Sequence, residues 1–430
     1  MSRMRLGGLF CVVCLVVACL AVTPGLSAGP QKHEGEEPGD PTISSAPPAL
    51  GATPCRNGHA DVYPCKNIDL ESFMPLEDLG ADPDEKAAGI WGWTDPRTRH
   101  EYALIALRNR VSFVDVTDAK HPRLVGYLPG RALDTTNREV NVYGDFAFVV
   151  ADARDGNGLQ VFDLTQLRGV TNPPIRFGTS ADLIAGDGRI HNLNVNQETG
   201  FAYEVGGAEC GGGLRMIDVH DPFSPVQVAC WADPSHSYIH DTQCVVYRGP
   251  DKRFKGHEIC FASAVDALLI VDVTDKSAPL KISRTSYPGA GYTHQGWLTG
   301  NQKFFLMDDE FDELAEGHPT RTYLWNFASL TAPRQFATYD APTEATDHNQ
   351  YVRGNLVYQS NYRAGLRILN ISKIAAGKLR EVGYFDIVPD SDEAGYEGAW
   401  GNYPFFPSGT VVVSGISQGL YILKPMKRVR

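Results

Sequence analysis

One short pattern returns seven times along this chain: an apolar strand ending on Asp or Asn, a turn, and a second strand. It reads VSFVDVTDAKHPRLVGYL, LQVFDLTQLRGVTNPPIRFG, LRMIDVHDPFSPVQVACW, LLIVDVTDKSAPLKISRT, TYLWNFASLTAPRQFATY, LRILNISKIAAGKLREVGYF and a truncated LYILKP. The polar marker is Asp115, Asp163, Asp218, Asp272, Asn326 and Asn370, with Lys424 in the last copy, and successive markers stand 48, 55, 54, 54, 44 and 54 residues apart. Period-2 patterning, Gly/Pro/Asp turns and a repeat of this length describe the four-stranded blade of a propeller.

Segments between the copies, such as HNLNVNQETGFAYEVGG, supply two further strands. Each blade thus takes strands a and b from the intervening segment, and c and d from the repeated pattern. The seventh copy stops after strand c, and residues 72–80 (SFMPLEDLG) are the expected source of its outer strand. Such an exchange closes the ring and removes two exposed edges. The expectation is an all-β, seven-bladed β-propeller over residues 55–430.

Ahead of the repeats, residues 1–28 carry Arg3 and Arg5, an apolar run over 6–22 and then small residues and Pro24, which reads as an export signal. Two processing outcomes stay open. LVVAC at 15–19 resembles a lipoprotein box that would leave Cys19 acylated, whereas cleavage after Ala28 would release a soluble protein. Residues 29–54, rich in Pro, Gly, Glu and Ser, read as a disordered linker. The expected location is extracytoplasmic: secreted, periplasmic, or held at the outer membrane by an N-terminal lipid, with no other membrane contact.

Export permits disulfides. Outside the signal there are six cysteines, and Cys55 with Cys65 flank a short polar loop while Cys244 and Cys260 lie on consecutive strand-like runs. Those pairs leave Cys210 with Cys230. No Cys-x-x-Cys pair argues for a metal instead. Lys and Arg total 39 against 51 Asp and Glu, net −12, with the basic residues scattered, which argues against nucleic acid as a partner. A monomer is expected, binding an envelope or extracellular protein or a small ligand. The chain has no Gly-x-Ser-x-Gly, and its glycine runs lack phosphate-binding spacing.

Beyond the repeat itself, CRNGHADVYPCKNIDL, IWGWTDP, FVDVTD, CGGGL, HDTQCVVYRGPD, GYTHQGWLT, DHNQYVRGN, NYRAGLRIL and NYPFF are similar to the LVIVD-repeat proteins, and in particular to the exported bacterial group called choice-of-anchor B. The resemblance spans nearly the whole chain after the signal. It implies an extracytoplasmic propeller-like domain tethered by differing anchors, and says almost nothing about chemistry.

The chemical signal is a register of histidines. His191, His240, His294 and His348 recur 49, 54 and 54 residues apart, each at the start of a strand a, with Ile90, Arg138 and Trp400 aligned in the other blades. Equivalent positions of a propeller face one place, so four imidazoles from consecutive blades would line one side of the central mouth. Neutral imidazoles are ligands for Cu or Zn at ~2.0–2.2 Å. The competing reading is a ring of blade-to-blade hydrogen bonds. The residues that follow, Asn192, Asp241, Gln295 and Asn349, are expected to alternate away from the channel and either to orient neighbouring blades or to fix the imidazole tautomers.

The loop 307–313 (MDDEFDE) with His318 is a solvated acidic loop on this reading, with Ca as its candidate ion despite a spacing foreign to the EF-hand. Asp309 and Asp312 are its candidate contributors to the rim, joined by Arg138 and by Arg363, which suits an anionic ligand. These features favour an exported binding or scaffold module carrying a transition metal in the histidine cluster. The alternative is a metal-dependent, oxidoreductase-like enzyme using the same histidines.

Overall fold

The computed structural model describes residues 51–430 other than 134, 136, 154, 155, 185–187, 237, 428 and 430. The signal and most of the linker lie outside the described residues. Seven antiparallel blades form a ring in which each strand a packs against the next and the seventh packs against the first.

Blade 1 runs Ala87–Thr94, Glu101–Leu107, Arg110–Asp115 and Arg123–Pro129, and blade 2 runs Arg138–Tyr143, Phe146–Ala151, Leu159–Asp163 and Ala181–Leu183. The strands a of blades 3 to 7 are Asn192–Asn196, Asp241–Val246, Thr293–Leu298, Gln350–Arg353 and Ala399–Tyr403. In blade 7 the outer strand is Ile68–Pro75, antiparallel to Gly419–Pro425. The N-terminal closure therefore exists, four residues earlier than the 72–80 expectation, because Leu76–Leu79 turns into a 3-10 helix after Pro75. Ordered pairing also begins earlier than residue 55, since the Thr53 amide donates to the Leu70 carbonyl at 2.8 Å.

The marker residue has a local cause. The side-chain oxygen of Asp115, Asp163, Asp218, Asp272, Asn326 or Asn370 accepts from the backbone N–H two residues on, at 2.9–3.0 Å. This Asx turn needs a short side chain bearing an oxygen, which is why only Asp and Asn occur wherever strand c hands on to strand d. Lys424 ends a strand c that has no following d, so it makes no such turn.

In the next layer of organisation, a bulge recurs in six c–d pairs, at Phe113/Val114, Met216/Ile217, Ile270/Val271, Leu324/Trp325, Ile368/Leu369 and, on the outer strand of blade 7, Leu70/Ser72. A bulge increases local twist, and blades of a propeller are strongly twisted. Middle strands are covered on both faces by neighbouring blades, so Leu268–Asp272 buries Leu268, Leu269, Ile270 and Val271 together. Three disulfides join Cys55–Cys65, Cys210–Cys230 and Cys244–Cys260. They are the pairs expected from the sequence, and they suit an oxidising, extracytoplasmic environment.

Candidate metal centre

Four imidazoles form a continuous arc at the head of blades 3 to 6. Ring centroids of His191 and His240, His240 and His294, and His294 and His348 lie 4.2, 4.2 and 4.4 Å apart. His294 is 1 % exposed and the other three are 2 % exposed. Glu310, fully buried, stands beside the arc, its carboxylate oxygens 3.8 Å from His294 Nε2 and 3.8 Å from His348 Nε2.

The Nδ1 side of every ring is engaged. His191 Nδ1 donates to Asp152 Oδ2 at 3.2 Å, His240 Nδ1 to the His294 carbonyl at 2.9 Å, His294 Nδ1 to Asp308 Oδ1 at 3.2 Å, and His348 Nδ1 to the Trp400 carbonyl at 2.5 Å. A carbonyl cannot donate, so His240 and His348 carry their proton on Nδ1 when neutral. That makes Nε2 the acceptor atom of these two rings. Fixing the tautomer from behind by a carboxylate or carbonyl is the usual outer support of a metal-bound histidine.

The inward atoms then face one another. His191 Nε2 and His240 Nε2 are 2.6 Å apart. Two lone pairs at that separation repel unless a proton lies between them. Ligand atoms of His294, Glu310 and His348 all fall within 4.8 Å of one another. Two ligands of one ion at ~2.1 Å are separated by roughly 3.4 Å in a tetrahedron and about 4.2 Å when opposed, so the 3.8 Å spacings suit a shared ion.

An aromatic group covers the cluster. Tyr292 packs 5.3 Å from His240 and 4.4 Å from Phe311, and Tyr396 stands 6.0 Å from Phe311 and 5.6 Å from Tyr362. Tyr362 lies 4.6 Å from His348, and its phenol donates to Glu310 Oε1 at 2.5 Å. Its backbone holds φ at 35°, a strained conformation for a non-glycine residue.

Several sequence expectations change here. The loop 307–313 is not solvated: Asp308, Asp309, Glu310, Asp312 and Glu313 are all at most 3 % exposed. Asp309 is no rim residue. It accepts from the Tyr287 hydroxyl and the Gly291 and Tyr292 amides, clamping the loop ahead of His294. Strand alternation instead sends Asp308 and Glu310 toward the histidines, and the sequence reading chose the wrong parity. Asp312 accepts from Tyr323 and belongs to a neighbouring group of carboxylates.

Arg138 is not in the mouth either. Its guanidinium is fully buried and donates to the Leu107, Arg108 and Ala132 carbonyls and to Asn157 Oδ1. Asn137, one residue earlier, is the one that meets the arc, with Nδ2 donating to the His191 carbonyl at 3.3 Å. Ile90 likewise packs with Met74 and Leu79, whereas Ala88 packs with Tyr362 and Trp400, since a register shift lies between Ala87 and Ile90. Arg363 is 7 % exposed and lies 3.5 Å from Ser391 Oγ and 3.9 Å from Glu393.

Asn192, Asp241, Gln295 and Asn349 do not turn away from the channel; they line a narrow space within it together with Glu139, Trp297 and Tyr351. They also tie blades, with Asn192 Nδ2 donating to Asp241 Oδ2 and Asn349 Nδ2 to the Trp400 carbonyl. Burial lifts the Asp241 carboxyl to about 7. Glu310, Asp308, Asp152 and Tyr362 were missed as individual site residues, because no repeat register points to a residue on strand b or in a b–c loop.

No curated protein matches the chain. Residues 136–166 match the LVIVD repeat, a stretch that takes in Arg138–Tyr143, Phe146–Ala151 and Leu159–Asp163 of blade 2. The chain thus carries an LVIVD repeat within a seven-bladed β-propeller, consistent with an LVIVD-repeat family.

Proposed function

We propose that this protein is an extracytoplasmic binding or scaffold propeller, of the choice-of-anchor B kind, that holds a transition metal between His191, His240, His294, His348 and Glu310. The observation that carries the reading is geometric: four imidazoles in one arc, each engaged at Nδ1 from behind, stand beside one buried carboxylate whose oxygens lie 3.8 Å from Nε2 of His294 and of His348. Imidazole with one carboxylate is a donor set for Zn or Cu rather than for Ca. Export through residues 1–28, with or without acylation at Cys19, belongs to the same reading.

The test is metal content of the folded, oxidised chain after equilibration with Zn or Cu. The His240→Ala/His294→Ala protein should bind one ion fewer than the unaltered chain, and an unchanged metal count removes the assignment. A second reading, a metal-dependent oxidoreductase, is favoured by Tyr362, a strained tyrosine whose phenol is tied to Glu310 beside His348. Copper-loaded protein should then generate a tyrosyl radical signal on oxidation, absent in Tyr362→Phe; loaded protein with no such signal and no azide-sensitive spectrum counts against catalysis.

A further inference from the structure

Below the histidine arc lies another group of buried carboxylates. The helix Asp312–Glu316 follows strand b of blade 5, and Asp312, Glu313 and the nearby His318 bring their ligand atoms within 4.8 Å of one another. Asp312 is 1 % exposed and Glu313 3 %, so water does not solvate their charge.

His318 is prepared in the same manner as the histidines of the arc. Its Nδ1 donates to the Pro319 carbonyl at 2.8 Å, which leaves Nε2 as a lone pair, and that atom stands 3.3 Å from Asp312 Oδ2. Two acceptors face one another. Asp312 Oδ2 already accepts from the Tyr323 phenol, while Asp312 Oδ1 is buried with no hydrogen-bond partner.

An independent observation comes from a different segment. Asp347 is 1 % exposed, and neither of its carboxylate oxygens has a hydrogen-bond partner. Its amide donates to Glu313 Oε2 at 3.4 Å, and burial, reinforced by the negative charges of Glu313, Asp308, Asp312 and Asp309, holds its carboxyl well above the usual carboxylate range. A buried carboxylate with no donor, set against other buried carboxylates, is costly unless a cation or protons compensate it.

We propose that Asp312, Glu313, His318 and Asp347 form a second metal site, distinct from the histidine arc, for a divalent first-row transition ion. The imidazole selects such an ion over Ca or Mg, which prefer all-oxygen shells. Glu313 contributes while its Oε1 stays fixed by the Arg321 amide at 2.9 Å. The ion would fasten the segment leading into His348 to the helix that follows Glu310, and so brace the histidine centre from outside.

The experiment counts zinc on the full, oxidised chain, stripped of metal and reloaded, by elemental analysis after desalting. The His240→Ala/His294→Ala protein should retain zinc at this second position, and adding His318→Ala and Asp347→Asn should remove it. In the unaltered chain, bound zinc should also protect His318 from diethyl pyrocarbonate, read by peptide mass spectrometry, since its side chain is 14 % exposed. Undiminished zinc in the combined variant overturns the proposal. So does equal modification of His318 with and without zinc, which decides the matter even where the variant fails to fold.

Discussion

The two sides of the central mouth start from equivalent positions in equivalent blades and have opposite chemistry. Blades 3 to 6 present an arc of histidines, with Nε2 of His294 and His348 3.8 Å from Glu310. Blades 7, 1 and 2 present Trp400, Ala88 and Asn137, and there the Trp400 indole donates to Glu139 Oε1 at 2.8 Å while Arg138 ties carbonyls behind the strand. One side gathers imidazoles around a buried carboxylate, and the other is tied together by donors such as the Trp400 indole and the Arg138 guanidinium. The difference teaches that the repeat decides where a strand begins, while an offset of one residue or a single bulge decides what reaches the mouth.

The comparison breaks most visibly at Arg138. Its replacement by Ala strands four buried acceptors and leaves a cavity, so Arg138→Ala should lower stability in urea by about 3–5 kcal/mol while metal content is unchanged. A loss under 1 kcal/mol, or loss of the metal with the fold intact, would remove the division between the two sides. Across the mouth, metal at about a hundredfold excess over its dissociation constant for the histidine site should add about 2.7 kcal/mol there, an increment that should be missing in His240→Ala/His294→Ala.

Not every buried carboxylate on the page belongs to a metal. Asp386, 5 % exposed, takes one backbone hydrogen bond from Val388, and burial lifts its carboxyl to about 7. An acid whose folded pKa is raised binds its proton more tightly when folded, so stability falls as pH rises from about 4 to about 7. That slope should shrink in Asp386→Asn, by on the order of 2 kcal/mol across the window, and it should be the same with and without metal. Denaturation curves at each pH check it; a slope that vanishes on metal addition would place Asp386 with the metal-linked groups. The smallest effect is expected for Trp400→Phe, about 1 kcal/mol from the lost bond to Glu139, with metal content retained.

The propeller was legible because its signals are local and repeated. Asp and Asn at the strand c ends report an Asx turn within two residues, and Cys244 and Cys260 fall directly opposite one another on paired strands. The histidines were legible for the same reason, as copies in one register. Ile90 and Arg138 were misplaced because a register shift near Ala87 and a one-residue offset at Asn137 leave no mark in an alternating pattern. Glu310 was hidden among five acidic residues, where only the parity of the strand separates a residue facing the histidines from Asp309, which clamps a loop. Asp347 carried no signal at all, since its partners come from a segment some thirty residues earlier.

The most direct measurement of the central claim is anomalous X-ray scattering from crystals of the oxidised chain equilibrated with Zn or Cu. The account predicts an anomalous peak ~2.0–2.2 Å from Nε2 of His294 and His348, within the arc completed by His191, His240 and Glu310. No peak there, with His191 and His240 bridged by a proton alone, would contradict it.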